Sequence, residues 1–288
     1  MSNSISRQIS DFLGRLASSA ASCLRVVMSL PAPRIAAAPR QGRPLVILGN
    51  GPALKKNLEE DMDSLTGGDT LAVNFFANSP EFFKVRPKYY VLADPHFFDK
   101  ALTDPNVSRL IGNLNAADFQ MTLYIPSTAR FQRTLFTNPN LAVGMFSFNA
   151  VEGFGWLEDA AFGKALGMPR PRNVLIPSIM LGIWLGYKEI YLLGADHSWL
   201  KTLSVNDRNE VVSIQPHFYK EDEKEIKRVR EEYVRHPLHE VLESMMIAFR
   251  SYHRIRRYAD SRGVRIFNST PGSMIDAFER ASLPENLL

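Results

Sequence analysis

Cysteine is almost missing: Cys23 is the only one among 288 residues. An intramolecular disulfide framework is thereby excluded, as is any multi-cysteine zinc or iron–sulfur site. No stretch approaches the roughly 18 uninterrupted apolar residues that a membrane-spanning helix needs. Acids are nearly absent from residues 1–43, where Asp11 stands alone against Arg7, Arg15, Arg25, Arg34, Arg40 and Arg43. The remaining 245 residues carry 28 bases and 29 acids. The formal charge of +4 is therefore a +5 extension joined to a body of net −1. A basic excess confined to one extension is not a nucleic-acid footprint, and no nucleic-acid partner is expected. With 45% hydrophobic, 10% aromatic and 22% charged residues, the chain has the apolar material for a buried core and is not of the disordered class.

The extension is patterned. Ile5, Ile9, Phe12, Leu13, Leu16, Ala20, Cys23, Leu24 and Val27 recur at steps of three and four, which stacks them on one helical face. Arg7, Arg15, Arg25 and Asp11 fall on the other side. The proline-rich segment 31–39 then reads as an extended linker. An apolar face opposed by arginines suits a helix lying on an anionic membrane through residues 5–28. The same face also suits packing on the body or on a partner chain, a homo-oligomer included. An organelle transit peptide shares the composition.

From Pro44 to Leu288 strands and helices alternate. Pro44–Gly49 is a short apolar run ending in glycine, as in a buried parallel strand. Further strands are expected at Thr70–Phe75, Tyr89–Ala93, Met121–Ile125, Glu189–Leu193 and Val264–Phe267, and helices at Ala53–Leu65, Ser178–Gly186, Leu238–Ala259 and Met274–Arg280. The pattern predicts an α/β fold, a Rossmann-like parallel sheet flanked by helices, with the amphipathic helix in front. Residues 198–237 interrupt it with the densely charged run 220–235. A solvated helix explains that run, and a lid or small subdomain over a site explains its position.

Ligands of open α/β sheets bind at the carboxyl ends of the strands. The residues at those ends are Gly49-Asn50-Gly51-Pro52, Asn74, Asp94-Pro95-His96, Gly194-Ala195-Asp196-His197-Ser198 and Asn268-Ser269-Thr270. All are small or polar, as a cleft for a polar ligand requires. Gly49 and Gly51 permit close backbone approach, and N–H groups of the turn are expected to receive phosphate. The turn lacks the third glycine of the dinucleotide fingerprint and the Gly-Lys-Ser/Thr ending of a P-loop.

As a set, Val46–Leu54, Val73-Asn-Phe-Phe76, Leu92-Ala-Asp-Pro-His-Phe-Phe98 and Leu185–Asp196 resemble one family over residues 44 to about 280. These are the bacterial sialyltransferases that decorate lipooligosaccharide from a CMP-sugar donor, with their sialyltransferase-like relatives. The resemblance implies a cytoplasmic enzyme at the inner face of the membrane, a CMP-sugar donor, a glycan or glycolipid acceptor and no cofactor. It puts Asn50 and Asn74 on the donor, and Asp94 where the family has a third asparagine. Asn173 falls near the family's cytidine-binding turn, whose Thr-Ser-Gly is missing here. Ala195, Asp196, His197 and Ser198 match a donor-contacting stretch, Ser198 replacing its tyrosine. Tyr219 stands for a second phosphate-contacting tyrosine. The family's general base matches Arg235-His-Pro-Leu-His-Glu240, with His239 as first choice and His236 as second. Imidazole titrates near pH ~6.5 and can take a proton from an acceptor hydroxyl; either histidine can equally be a helix-start residue.

Archaeal-type hydroxymethylpterin diphosphokinases share the Gly-Asn-Gly-Pro start and the Leu-Gly-Tyr segment. On that alternative a nucleoside triphosphate is the phosphoryl donor and Asp94 and Asp196 hold magnesium. A non-catalytic nucleotide-binding module is the third reading. No resident metal is expected otherwise: His96, His197 and His217 lie on separate connections, and Asp61-Met-Asp63 sits within a charged helical stretch. Arg250, Arg254, Arg256 and Arg257 near the end of a helix that starts with Glu240 and Glu243 complement its dipole.

Overall fold

Strand β1 (Leu45–Leu48) is completely buried, and its side chains alternate between the two faces of the sheet. Leu45 and Ile47 point into one apolar cluster, Val46 and Leu48 into the other. Only a central parallel strand with both faces covered has this environment. The computed structural model describes residues 2–37, 42–213, 218, 233–284 and 287. Around β1 it places β2 (Asp69–Val73), β3 (Tyr89–Val91), β4 (Met121–Pro126) and β5 (Leu141–Phe146) on one side. On the other side lie β6 (Glu189–Leu193), β9 (Arg265–Asn268) and β10 (Glu279–Arg280). The order β10-β9-β6-β1-β2-β3-β4-β5 is parallel throughout. The chain runs outward from β1 to β5, then returns to the opposite side of β1. Order therefore reverses between β1 and β6, which makes their carboxyl ends the switch point of the sheet.

Among the described residues the α-helices are α1 (Ser2–Met28), α2 (Leu54–Glu60), α3 (Met62–Gly67), α4 (Glu81–Val85), α5 (His96–Asp99), α6 (Pro105–Asn115), α7 (Gly155–Gly163), α8 (Leu175–Trp184) and α9 (Leu238–Ser261). Helix α8 is buried from Leu175 to Ile183, as an apolar helix between sheet and outer helices must be. Gly182 lets it sit directly on Leu45 and Ile190, which a Cβ there would meet at 2.8 and 2.9 Å. A small hairpin, β7 (Ser204–Val205) with β8 (Val211–Val212), packs Val211 near Val241 and Met245 of α9. Most of the charged run at 220–235 lies outside the described residues.

Two expected helices differ. Ala53–Leu65 is two helices, α2 and α3, because Asp61 leaves helical geometry at φ −114° and ψ 11°; aspartate is a weak helix former. Met274–Arg280 is not helical. Ser273, Ile275 and Ala277 are buried while Asp276 is exposed, a period of two that belongs to an extended segment. It ends in β10, pairing with β9, and Arg280 ties it down through the carbonyls of Thr270 and Ile275 at 3.1 Å each.

Helix α1 docks on the body chiefly by its serine side, with Phe12 5.7 Å from the Phe154 ring and Val26 against the core. Ser19 and Ser22 are its buried residues. Ser22 Oγ donates to the Glu152 carbonyl and accepts from the Glu152 N–H, both at 2.9 Å. Ser19 Oγ accepts from Phe154 N, and Arg25 Nε donates to the Ala150 carbonyl, both at 3.1 Å. Gly153, at φ +136°, makes this possible: a Cβ there would lie 2.1 Å from Ser19 Oγ. Ile9, Phe12, Leu13, Leu16, Leu24 and Val27 stay exposed. Among the described residues no helix is long and apolar enough to cross a membrane.

Candidate functional site

The exits of β1 and β6 interlock. Gly49 N donates to the Leu193 carbonyl at 2.7 Å, and Gly51 N to the Gly194 carbonyl at 2.9 Å. Ala53 N donates to Asp196 Oδ1 at 3.2 Å. The expected phosphate cradle is therefore not open: these N–H groups of the Gly49–Ala53 turn are taken up by the β6 exit. The glycines serve close approach instead, since a Cβ on Gly49 would stand 2.5 Å from the Gly194 carbonyl oxygen.

Around this knot lies a set of oxygen atoms that the described residues leave unsatisfied. Asn50 Oδ1, Asn74 Oδ1, Asp196 Oδ2 and Ser269 Oγ are buried and have no hydrogen-bond partner among the described residues. They follow β1, β2, β6 and β9, strands that are adjacent in the sheet. Asn50 Nδ2 is engaged with the Val73 carbonyl at 3.1 Å, which fixes the amide so that Oδ1 is the idle atom. Asn74 is held at φ +50°, a left-handed geometry that asparagine tolerates better than most residues. Burial pushes the Asp196 carboxyl pKa up from its ordinary value, against the hydrogen bond from Ala53. Unsatisfied buried acceptors are costly, so each calls for an explanation. Phe218 lies over this end of the sheet, its N–H on the Asn50 carbonyl at 3.1 Å and its ring 5.6 Å from that of Phe76.

Asn173 and His197 are brought together, but inside the protein. His197 Nε2 lies 2.6 Å from Tyr252 Oη, and Tyr252 Oη lies 2.9 Å from Asn173 Oδ1. Leu175 N donates to that same Oδ1 at 3.0 Å, which identifies it as the acceptor. The tyrosine hydrogen then goes to Asn173, and His197 Nε2 faces both Tyr252 Oη and, at 3.4 Å, Asn173 Nδ2. Burial pushes the imidazole pKa down to about 3, so it is neutral. Ala195 is tied by backbone to Thr270 and Ser273, and Ser198 opens the short helical turn Ser198–Lys201.

A second feature lies beside the switch point. Helix α1, the turn at 152–155 and helix α9 enclose a cavity of about 1430 Å³, which Asp94 of the β3 exit also lines. One side is a closed ion-pair network. Glu152 takes Arg170 and Arg254, the latter at 3.0 Å, and Glu158 takes Arg257 at 2.8 Å. Burial pushes the Glu152 carboxyl up, but hydrogen bonds and charge from Arg170 and Arg254 outweigh it and hold the pKa below its ordinary value. Arg254 and Arg257, read from sequence as serving the helix dipole, thus bind specific carboxylates across the fold. Arg256 bonds the Ala277 carbonyl, and Arg250 lines the cavity.

His236 lines this cavity and pairs with Glu240 at 3.2 Å. His239 is exposed on the first turn of α9 and does not line it. Tyr219 and His217 fall outside the described residues. His96 pairs with Asp104 at 3.1 Å, and Asp94 Oδ1 caps His96 N at 2.9 Å. Among the described residues no cluster of three or more His, Cys, Asp or Glu has the disposition of a metal site. Sequence reasoning missed Glu152, Glu158 and Arg170: their partners are far away in the chain, and no local spacing marks them.

The chain matches no known protein family and no curated protein in sequence. Among solved structures, one it is similar to in chain path is the MAf glycosyltransferase from Magnetospirillum magneticum AMB-1, with 15% identity, a TM-score of 0.49 and 87% of this chain aligned. The alignment spans 35% of that protein's length.

Proposed function

We propose that the chain is an inverting glycosyltransferase that moves an acidic sugar, sialic acid or a Kdo-like sugar, from a CMP-sugar to a glycan or glycolipid. The observation that carries this reading is the set of unsatisfied oxygens around the β1–β6 switch point. Carbonyl, carboxylate and hydroxyl oxygens ask for hydrogen-bond donors, and the hydroxyls of ribose and sugar and the cytosine amine are donors. The motif resemblance supports the same end of the molecule. In this reading Asn50, Asp196 and Ser269 hold the nucleoside side of the donor. The Asn74 side chain, which bonds no described residue, donates from Nδ2 to its phosphate, and the motif resemblance adds Tyr219 as a second phosphate donor. His236 is preferred to His239 as the general base because it lines the cavity beside Glu240, whose carboxylate orients the ring.

Melting curves with CMP, CTP and ATP, with and without magnesium, test it. CMP alone is expected to raise Tm by several degrees, since ligand at 100 Kd adds about 2.7 kcal/mol. Stabilisation by ATP that requires magnesium points to phosphoryl transfer instead. His236→Ala is expected to lower transfer by about 10² or more with the CMP shift intact. His239→Ala should leave turnover unchanged, and the reverse pattern would restore His239 as the base.

We further infer that the exposed face of α1 rests on an anionic membrane. Leu24 is 60% exposed and Val27 64% although the helix is docked, so docking does not explain the stripe. Full-length protein is expected to co-sediment with phosphatidylglycerol vesicles. Combining Phe12→Ser, Leu16→Ser and Leu24→Ser should weaken this at least tenfold, as each side chain contributes roughly 1.5 kcal/mol or more on burial. Absence of co-sedimentation, with a dimer in solution, would assign the face to a second copy of the chain.

A further inference from the structure

We propose that the cavity between α1 and α9 is the acceptor site, and that it takes a hydroxyl-rich oligosaccharide. The term acceptor rests on the glycosyl-transfer reading; the binding chemistry does not.

Size comes first. At about 1430 Å³ the cavity exceeds the ~300–1,000 Å³ of sites for single small molecules. Its chemistry is also unlike theirs, because charged side chains of both signs make up half of its lining residues. Once the Glu152 and Glu158 network is satisfied, groups of both signs remain. Arg15, Arg172 and Arg250 have no carboxylate within ion-pair distance among the described residues, and Asp11 and Glu243 have no described base. An anionic ligand would meet Asp11 and Glu243, and a cationic one would meet the arginines. Sugar hydroxyls donate to the first and accept from the second, so a wall of mixed sign fits a glycan better than an ion. Met246 of α9, 48% exposed, adds an apolar surface against which the C–H face of a sugar ring can lie.

Position completes the argument. Asp94 of the β3 exit lines the cavity, and Arg172 precedes Asn173 in the chain. A ligand in the cavity therefore reaches Asp94, at the carboxyl end of β3. The opposite wall is α1, through Ser10, Asp11, Gly14, Arg15 and Ser18. The N-terminal helix is on this assignment part of the binding site and not only a tether.

The test is a printed array of neutral, sialylated and Kdo-containing oligosaccharides, probed with the full chain. Retention of at least one class is expected. It should fall at least tenfold in Asp11→Asn/Arg15→Gln and likewise in Glu243→Gln/Arg250→Gln, and not in the distant surface variant Arg109→Gln. These side chains are exposed, and unchanged circular dichroism confirms that the variants fold. No retained oligosaccharide, or retention untouched by both double substitutions, overturns the assignment. The CMP melting shift, read on the same proteins, separates the two readings. Glycan retention without a CMP shift leaves the cavity standing and removes the donor, and a CMP shift without retention does the opposite.

Discussion

Gly49→Ala is expected to destabilise the protein by about 3 kcal/mol, the upper part of the usual overpacking range. The added Cβ would lie 2.5 Å from the Gly194 carbonyl oxygen, 2.9 Å from its carbon and 3.1 Å from the Leu193 carbonyl oxygen. All three are backbone atoms of the neighbouring exit, so no flexible side chain can move aside. Relief requires β1 and β6 to part, which lengthens the Gly49 N to Leu193 carbonyl bond now at 2.7 Å. Both strands are buried at the centre of the sheet, so the strain spreads into packed surroundings. Gly194→Ala should be at least as damaging, because it adds a φ of +60° to a contact of 2.4 Å with the Gly49 carbonyl oxygen. Gly112→Ala is the control. It lies in α6 with nothing within 4 Å of the new Cβ, and helix propensity alone should stabilise it by up to about 1 kcal/mol. Urea midpoints of the three variants check the order; equal effects at Gly49 and Gly112 would remove the interlock as the reason for these glycines.

How much of this was readable in advance depends on whether the cause was local. β1, β2, β3, β4, β6 and β9 announce themselves because fully buried parallel strands are short apolar runs. Their exits were legible for the same reason, and Asn50, Asn74, Asp196 and Ser269 do fall on one edge of the sheet. What the turn after β1 does was not legible. Gly-Asn-Gly-Pro reads equally as a phosphate cradle or as a close-approach turn, and only the presence of Gly194 across the switch point decides. His197 was misplaced by the same limitation: its ring turns in toward Tyr252, whose position 55 residues away no spacing reveals. Helix α1 shows the converse error. Its apolar periodicity was correct, yet its docking surface is the serine face, fitted to a glycine more than a hundred residues away. A hydrophobic stripe tells which face is apolar, not which face is covered.

His197 should make stability fall in mild acid. Its ring is enclosed by Trp199, Phe249 and Tyr252, with centroids 4.4, 6.1 and 5.4 Å away. Burial lowers its pKa from 6.5 to about 3, since charging the ring there forfeits hydration with no anion in return. Below pH 6.5 the unfolded chain binds a proton at this residue that the native state refuses. The stabilisation is therefore complete above that pH and is lost progressively as pH falls toward 3. The slope approaches about 1.4 kcal/mol per pH unit, so roughly 2 kcal/mol is lost from this group by pH 5. Other titrating groups contribute as well, and a variant removes them from the comparison. His197→Gln keeps a side-chain amide, donor and acceptor, beside Tyr252 but cannot be protonated. It should be the less stable protein at pH 7.5, through imperfect packing, and the gap in urea midpoint should narrow or reverse by pH 5. A gap that is constant over that range would mean that His197 titrates normally, and so is open to solvent and not sealed beneath the β6 exit.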